Sequence, residues 1–343
     1  MTIWAVRAEA SQSRGSPESC QTSGGVGIGK VHRIPPVRLG RLTEKVKEGL
    51  SPHFGGVGKE RALDAESLNR RHTKFYVRCY PWKRGAGRTM ATVAIGDIHG
   101  NRLALEDLLE KVLPTLKPQD VLVFLGDTID RGPDSRGCVE RISRLKRENP
   151  HSVVTLLGNH EDWMLRSLRD PTRHSWILGM EAFETIASYA PDAAVSLRRE
   201  LERAGIRLIT ERVRIPYEIF FDLLPPDHMA FFQNLKPFHR AEGVVCVHAG
   251  VEPEGRPLHS QDLEVLIWGP EGFPDGYIGR EAIVYGHWDN ATEDENGWPQ
   301  PCIKENHTFG IDTISKGVLT AIRLPDGKIF QSKRFKEGEV SDG

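Results

Sequence analysis

The segment that decides the fold is residues 121–132, which read VLVFLGDTIDRG. Its first five residues are apolar, and a glycine, two aspartates and an arginine follow within the next six positions. A short, fully apolar run of this kind is typical of a strand that is buried on both faces, as in a sheet covered by helices. The segment therefore predicts a buried strand that carries Asp127, Asp130 and Arg131 at its carboxyl end.

Four further apolar runs share this character: residues 92–95, 153–157, 244–247 and 282–285. Residues 102–116 and 135–147 have the apolar spacing of helices that pack on a sheet. Strands that alternate with helices of this length indicate an α/β core. Near the end of the chain, the turn sequence Pro325-Asp326-Gly327 separates residues 318–324 from residues 328–332, which predicts a terminal hairpin.

The stretch from 161 to 240 has a different, mainly helical pattern. Its candidate helices are residues 162–168, 180–190, 192–204 and 227–234. We interpret it as an inserted or capping subdomain that shapes the entrance to a site, although a purely structural packing role would fit the same pattern. The catalytic domain is expected to span residues 90–335, with a short tail at 336–343.

The composition is that of a globular protein, with 38% hydrophobic and 27% charged residues. No apolar run approaches the roughly 20 residues that a membrane-spanning helix needs, so no span is expected. The five cysteines lie at scattered positions without a CxxC pair. This usage suits a reducing compartment, and we expect a cytoplasmic protein.

Residues 1–89 have no apolar period and are rich in Gly, Arg, Ser and Pro, which predicts a disordered extension with one short helix near residues 67–74. Residues 1–90 carry 17 Lys and Arg against 7 Asp and Glu, so this segment is strongly basic. It could be a transit peptide, or it could bind nucleic acid or anionic lipid, although it contains no binding motif. Alternatively, Met90 is the natural start of the protein.

Polar residues of metal-ligand type follow each of the five apolar runs. The runs are followed by Asp97 and His99, by Asp127, by Asn159, by His248, and by His287. Because the carboxyl ends of neighbouring parallel strands meet at one edge of a sheet, these side chains are expected to converge. Carboxylates and imidazoles without thiolates suit two hard or borderline divalent ions such as Mn²⁺, Fe²⁺, Zn²⁺ or Mg²⁺. Asp127 is the candidate bridge between the two ions.

Taken together, these motifs carry a family resemblance. The sequence contains GDIHG at 96–100, GDTIDRG at 126–132 and GNHE at 158–161, followed by VHAG at 247–250 and YGHW at 285–288. It resembles the phosphoprotein phosphatase branch of the calcineurin-like metallophosphoesterases, above all the bacterial and phage serine/threonine phosphatases, over residues 92–331. The resemblance implies a β-sandwich core flanked by helices.

The resemblance also implies a role for each motif residue. Asp97 and His99 would hold one metal ion, Asn159, His248 and His287 would hold the other, and Asp127 would be shared. Manganese is the first expectation for both ions. His160 would act as general acid supported by Asp130, while Arg131 and Asn159 would bind phosphoryl oxygens. Hydrolysis would proceed by in-line attack of a hydroxide that bridges the two ions.

The sequence departs from the family pattern near residue 268. Many bacterial and phage members have a second phosphate-binding arginine soon after the tryptophan that corresponds to Trp268, but here Gly269 follows. Arg280 is the candidate to replace that arginine. A further departure is Trp288 after His287, where the family often has threonine. After the family-like residues 310–313, Ile314-Ser315 replaces smaller residues.

The sequence favours hydrolysis of phosphomonoesters, as in a serine/threonine protein phosphatase acting on a phosphoprotein or a small phosphoester. The first alternative is a symmetrical dinucleoside-polyphosphate hydrolase, an enzyme class that commonly lacks an aspartate matching Asp130. The second alternative, from another class, is a non-catalytic binding protein with a structural metal site. The complete set of expected ligands argues against that second alternative.

Overall fold

The computed structural model describes residues 90–149, 152–254 and 256–335. The expected disordered extension at 1–89, its short helix at 67–74, and the tail at 336–343 lie outside these ranges. Among the helices that the ranges contain, none has both the length and the apolar character that a membrane crossing requires.

The described residues form twelve strands and ten α-helices. The strands are β1 (Thr92–Ile95), β2 (Val121–Phe124), β3 (Val153–Thr155), β4 (Phe238–Ala241), β5 (Val244–Val247), β6 (Ala282–Tyr285), β7 (Thr292–Glu293), β8 (Pro299–Gln300), β9 (Cys302–Ile303), β10 (Thr308–Gly310), β11 (Thr320–Leu324) and β12 (Lys328–Gln331). The α-helices are α1 (Arg102–Val112), α2 (Ser135–Glu148), α3 (Asn159–Arg169), α4 (Ser175–Gly179), α5 (Ala182–Tyr189), α6 (Pro191–Ala204), α7 (Arg207–Thr210), α8 (Glu218–Phe221), α9 (Pro226–Gln233) and α10 (Leu263–Trp268).

Ten of these strands form two five-stranded sheets of similar design. In the first sheet the order is β12-β11-β1-β2-β3. Strands β1, β2 and β3 are parallel to one another, β11 pairs antiparallel with β1, and β12 pairs antiparallel with β11. In the second sheet the order is β4-β5-β6-β10-β9, with β5, β6 and β10 parallel and the two outer strands antiparallel. Each sheet therefore has a parallel centre whose carboxyl ends can carry polar side chains to a common edge.

The two sheets pack face to face around one apolar cluster. Ala94, Val123 and Ile322 of the first sheet lie in this cluster with Cys246 and Val284 of the second. Helices α1 and α2 cover the outer face of the first sheet, where Leu105, Leu109 and Ile142 are fully buried. The expected α/β architecture, a β-sandwich core flanked by helices, is confirmed.

Several observed elements differ from the sequence expectation for local reasons. Helix α1 ends at Val112, because Pro114 cannot donate a backbone hydrogen bond and lies in a 3₁₀ turn at Leu113–Thr115. Helix α3 begins at Asn159, three residues before the expected start, so the GNHE motif forms its first turn. Strand β4 was not expected, because its sequence FHRA is half-polar and only partly buried, but it pairs with β5.

The insertion is helical from α3 to α9, as expected. Its aromatic side chains join the same buried cluster as α1 and α2, with Trp176, Tyr217 and Phe220 almost fully buried. The Trp176 ring packs against Phe220 and Phe221 at centroid distances of 5.8 and 5.9 Å. The insertion is thus fixed by apolar packing to the helices of the core.

Candidate functional site

Five parallel strands, taken from both sheets, deliver the candidate residues. β1 precedes Asp97 and His99, β2 precedes Asp127, and β3 leads into Asn159, while β5 and β6 precede His248 and His287. The site therefore lies across the carboxyl ends of both sheets, whereas the sequence suggested the edge of a single open sheet.

Asp127 is the centre of this group. Its Oδ2 atom lies 3.6 Å from His99 Nε2, 3.5 Å from His248 Nε2 and 3.8 Å from His160 Nε2. Two metal-ligand groups can be drawn through the site, His99–Asp127–His160 and Asp127–His248–His287, and Asp127 is the residue they share. A carboxylate in this position has the geometry to bridge two cations.

Asp97 and Asn159 complete the set of expected ligands. Asp97 Oδ2 accepts the backbone N–H of His287 at 2.9 Å, and its Oδ1 is buried without a hydrogen-bond partner among the described residues. Asn159 Oδ1 lies 2.9 Å from His248 Nε2 and 3.1 Å from His287 Nδ1. Contacts between side chains thus join five of the six candidate ligands, and Asp97 is joined to this cluster through the backbone N–H of His287.

Backbone carbonyls orient two of the imidazoles. His99 Nδ1 lies 3.0 Å from the carbonyl oxygen of Ile129, and His248 Nδ1 lies 3.0 Å from that of Leu125. Because a carbonyl oxygen only accepts hydrogen bonds, each Nδ1 carries the proton and each Nε2 presents its lone pair to the centre. This is the arrangement in which a histidine binds a metal ion.

The electrostatics of the cluster also fit divalent cations. Burial raises the pKa of Asp97 well above its usual range, and the nearby carboxylates of Asp312 and Asp127 raise it further. Burial likewise raises the pKa of Asp127, with a contribution from Glu161. Burial lowers the pKa of His287 to about 4, which favours the neutral imidazole that a metal requires. Crowded buried carboxylates beside neutral imidazoles are stabilised when positive charge is bound between them.

His160 and Asp130 form a second feature, a buried hydrogen-bonded pair. His160 Nδ1 lies 2.8 Å from Asp130 Oδ2, and His160 Nε2 is buried without a hydrogen-bond partner among the described residues. Burial raises the pKa of Asp130 to about 8 and lowers that of His160 to about 3. Burial therefore disfavours an ionised Asp130 or a protonated His160 alone, and the two charged forms stabilise each other when both are present.

The insertion supplies two residues that hold this pair. Trp176 Nε1 donates to Asp130 Oδ2 at 3.0 Å, and the Thr185 hydroxyl donates to Asp130 Oδ1 at 2.6 Å. The Asp130 carboxylate is thereby held by residues of α4 and α5 as well as by His160. Neither Trp176 nor Thr185 could be identified from the sequence, because both lie about fifty residues from Asp130 and contact it only in the folded insertion.

Glu161 is a site residue whose role the sequence did not reveal. Its buried carboxylate accepts the backbone N–H groups of Asp127 at 3.0 Å, Thr128 at 2.7 Å and Gly158 at 3.2 Å. It therefore ties the loop after β2 to the start of α3. The position of Glu161 does fit a sequence pattern, because a glutamate three residues after a helix N-cap, here Gly158, usually accepts the backbone N–H of that N-cap residue.

The ligand loops are held in unusual backbone conformations. His99, Asp127, Asp130, Arg131 and His287 all have positive φ, between 45° and 69°. Non-glycine residues seldom adopt this region, and such strain concentrates at functional sites. Close approach is enforced at Gly158, where a Cβ atom would lie 2.0 Å from Asp127 Oδ1.

Arg131 is exposed and lines a cavity of about 410 Å³. The other residues of the lining are His99, Asn101, Gly132, Glu181, Ile314, Ser315, Lys316, Gly317 and Phe335. Of the six candidate metal ligands, His99 is the one that lines this cavity, so the cavity adjoins the cluster at His99.

Arg280 is not brought to this site. It is exposed and precedes β6, whereas His287 follows the other end of that strand. Seven residues of extended chain span roughly 20 Å, so the two residues lie at opposite ends of the sheet. The expectation that Arg280 replaces the missing second arginine has no support in the structure.

The departures at Gly269 and Trp288 are linked. The Trp268 and Trp288 rings flank His287, at centroid distances of 5.7 and 5.4 Å. Trp288 Nε1 donates to the carbonyl oxygen of Ala249 at 2.6 Å, and a Cβ atom on Gly269 would lie 2.3 Å from the Trp288 ring. Glycine at 269 therefore makes room for the tryptophan at 288.

Comparisons with known proteins agree with this geometry. The model of the calcineurin-like phosphoesterase family matches residues 90–304. A symmetrical bis(5'-nucleosyl)-tetraphosphatase of Wigglesworthia glossinidia brevipalpis is 39% identical over 70% of this chain and 98% of its own length. The enzyme of the same name from Janthinobacterium sp. is 25% identical over 71% of this chain and 96% of its own length.

Among solved structures, a protein serine/threonine phosphatase from Saccharomyces cerevisiae aligns with 75% of this chain and 84% of its own length, at 15% identity and a TM-score of 0.47. The family match covers well over half of the chain and includes all six candidate metal ligands. The chain therefore belongs to the calcineurin-like phosphoesterase family, a family of hydrolases that use a dinuclear metal centre.

Proposed function

We propose that the chain hydrolyses dinucleoside tetraphosphates symmetrically, at the central phosphoanhydride bond. The proposal rests on the cavity of about 410 Å³, which is lined by His99 and by the cationic side chains of Arg131 and Lys316. Its volume is in the range of small-molecule sites, and its charge suits a polyphosphate. The two bacterial relatives, which are both named symmetrical bis(5'-nucleosyl)-tetraphosphatases, support the same substrate class. This proposal takes the alternative that the sequence left open.

The ligand geometry supports an assignment of residues to two cations. Asp97, His99 and Asp127 would hold one, and Asn159, His248, His287 and Asp127 would hold the other. When bound, two such ions neutralise charge on phosphoryl oxygens and lower the pKa of a water molecule toward neutrality. The donor set of oxygen and nitrogen atoms makes Mn²⁺ the first ion to test.

The remaining site residues would bind and orient the substrate. The planar guanidinium of Arg131 can donate two parallel hydrogen bonds to phosphoryl oxygens. Glu161 would keep Asp127 in place by holding its backbone N–H. His160 Nε2, which has no partner among the described residues, would contact an oxygen of the bound substrate.

A second candidate function is phosphomonoester hydrolysis, which the Asp130–His160 pair favours. An alcohol leaving group departs as a strongly basic alkoxide unless an acid protonates it, whereas a nucleoside diphosphate is a stable anion. A histidine held by a buried aspartate at 2.8 Å is suited to that acid role. The protein-phosphatase reading therefore stays a prediction.

A substrate comparison separates these possibilities. The Mn²⁺-loaded protein would be given diadenosine tetraphosphate, p-nitrophenyl phosphate and a phosphoserine peptide, and kcat/KM would be compared. We expect the highest value for the dinucleotide, with ADP as the only nucleotide product. ATP and AMP as products would indicate asymmetrical cleavage, and preference for either monoester would favour the second candidate.

The Asp127→Asn variant is the control for catalysis in this comparison. It should lose hydrolysis of all three compounds, because its side chain can no longer bind two cations as a carboxylate. A wild-type protein that binds metal but hydrolyses none of the three would instead support the non-catalytic binding protein.

A further inference from the structure

The cavity beside Arg131 contains a second cation, Lys316, to which no motif of the sequence assigns a role. Its side chain is exposed, and its ammonium group forms no ion pair or hydrogen bond with any residue of the described ranges. We infer that Lys316 is a phosphate-binding residue that contacts the phosphate group next to the one attacked. This inference rests on the proposed function, since only a di- or polyphosphate substrate has such a group.

The segment that carries Lys316 is held from several directions. Lys316 ends the 3₁₀ turn Ile314–Lys316. On one side of the turn, the Thr313 hydroxyl donates to the carbonyl oxygen of Val318 at 2.6 Å. On the other side, Gly317 has a φ of +75° and its carbonyl accepts the Phe335 N–H at 2.8 Å. A binding residue on such a constrained turn loses less conformational entropy when a ligand binds.

The same segment is also tied to the metal-ligand cluster. The backbone N–H of Asp289, two residues after His287, donates to Asp312 Oδ2 at 3.0 Å. The Ser315 hydroxyl donates to the Asp289 carboxylate. Because Asp289 adjoins the turn that carries His287, these contacts fix the position of the Lys316 backbone relative to the candidate metal ligands.

The charge of the cavity favours an anionic ligand. Its lining contains the cations Arg131 and Lys316 and one carboxylate, Glu181. Lysine binds phosphate as a point charge on a flexible stem, so it tolerates more than one phosphate geometry. Arg280 cannot supply this charge from the opposite end of β6, which leaves Lys316 as the second cation within the cavity.

The apolar part of the lining identifies the rest of the ligand. Phe335 is half-buried, packs against the core cluster and also faces the cavity beside Ile314. An aromatic ring in this position offers a surface for a ribose or a base, as nucleotide-binding proteins commonly do. The class of ligand that fits both parts is a nucleoside diphosphate group.

Direct binding measurements test this inference without relying on turnover. Calorimetric dissociation constants would be measured for ADP and AMP with the Mn²⁺-loaded protein at a fixed excess of Mn²⁺. Wild type should bind ADP more tightly than AMP, because only ADP has the second phosphate. Lys316→Ala should weaken ADP binding about tenfold more than AMP binding, the effect of losing one charge-assisted hydrogen bond.

Two further variants make the result specific. Lys316→Arg should keep most of the preference for ADP, since it keeps the charge. Lys328→Ala removes the same charge from an exposed position on β12, over Phe330 and outside the cavity, and should leave both constants unchanged. Equal binding of ADP and AMP by wild type, or equal weakening of both by Lys316→Ala, would overturn the inference. Hydrolysis of the dinucleotide by wild type is a separate assay and tests the proposed function alone.

Discussion

Replacing Glu161 with alanine should cost several kcal/mol of folding free energy. The Glu161 side chain is fully buried and accepts three backbone N–H groups at 2.7, 3.0 and 3.2 Å. Leaving a buried donor unsatisfied costs about 1–3 kcal/mol, so the loss of all three hydrogen bonds should destabilise the protein by about 3–9 kcal/mol. That is a large share of the roughly 5–15 kcal/mol by which a domain is stable.

The loss should also reach the metal site, because two of the three donors belong to Asp127 and Thr128. Residues that support metal ligands in this way typically change metal affinity by roughly 10–100-fold. Urea denaturation followed by tryptophan fluorescence would measure the stability, and a Mn²⁺ titration would measure the affinity. Glu264→Ala is the matched control, because its side chain is 59% exposed and its ion pair within the described residues is with Arg166 at 3.4 Å.

The control should shift the free energy of unfolding by no more than about 0.5 kcal/mol. If Glu161→Ala were as stable as that control and bound Mn²⁺ normally, the reasoning about its three backbone hydrogen bonds would be refuted.

Three further predictions concern Asp130 as the partner of His160, the packing of Trp288 against Gly269, and the extent of the catalytic domain. Asp130→Asn should lower turnover of a phosphoserine peptide by roughly 10²-fold or more but affect the dinucleotide far less, because the serine alkoxide needs a proton and the diphosphate does not; equal losses on both substrates would contradict that role. Gly269→Ala should destabilise the protein by about 1–3 kcal/mol more than Gly272→Ala, because both positions have positive φ but only Gly269 faces a ring, at 2.3 Å; thermal unfolding compares the two, and equal shifts would remove the proposed link to Trp288. A protein of residues 90–343 should retain the full kcat/KM of the whole chain, and a loss of activity would show that residues 1–89 contribute to the site.

The sequence predicted the core well because its signals were local. The runs at 92–95, 244–247 and 282–285 became β1, β5 and β6 with the same bounds. Each run is apolar apart from Thr92 and is followed by glycine or histidine, so both the burial and the end of the strand can be predicted from the local sequence. By contrast, β4 has the sequence FHRA, which is shaped by its outer position in the sheet and not by an apolar period.

The site was predictable only in part, for a related reason. Motif residues such as Asp127 and His248 could be named, because metal-ligand chemistry restricts which residue types follow the strands. Partners that meet in three dimensions could not, and Trp176 and Thr185 reach Asp130 only through the folded insertion. The role expected for Arg280 stays a prediction: this residue lies near Trp268 in sequence, yet strand β6 separates it from His287.

Anomalous diffraction from crystals soaked with Mn²⁺ would show whether two cations share Asp127. We expect two peaks, both in contact with Asp127, one beside Asp97 and His99 and the other beside Asn159, His248 and His287. The surface group Glu140–Asp227–His228, which also has metal-ligand composition, should remain empty. A dinuclear site would be contradicted by a single peak at Asp127, by no peak there, or by manganese held only at the Glu140 group.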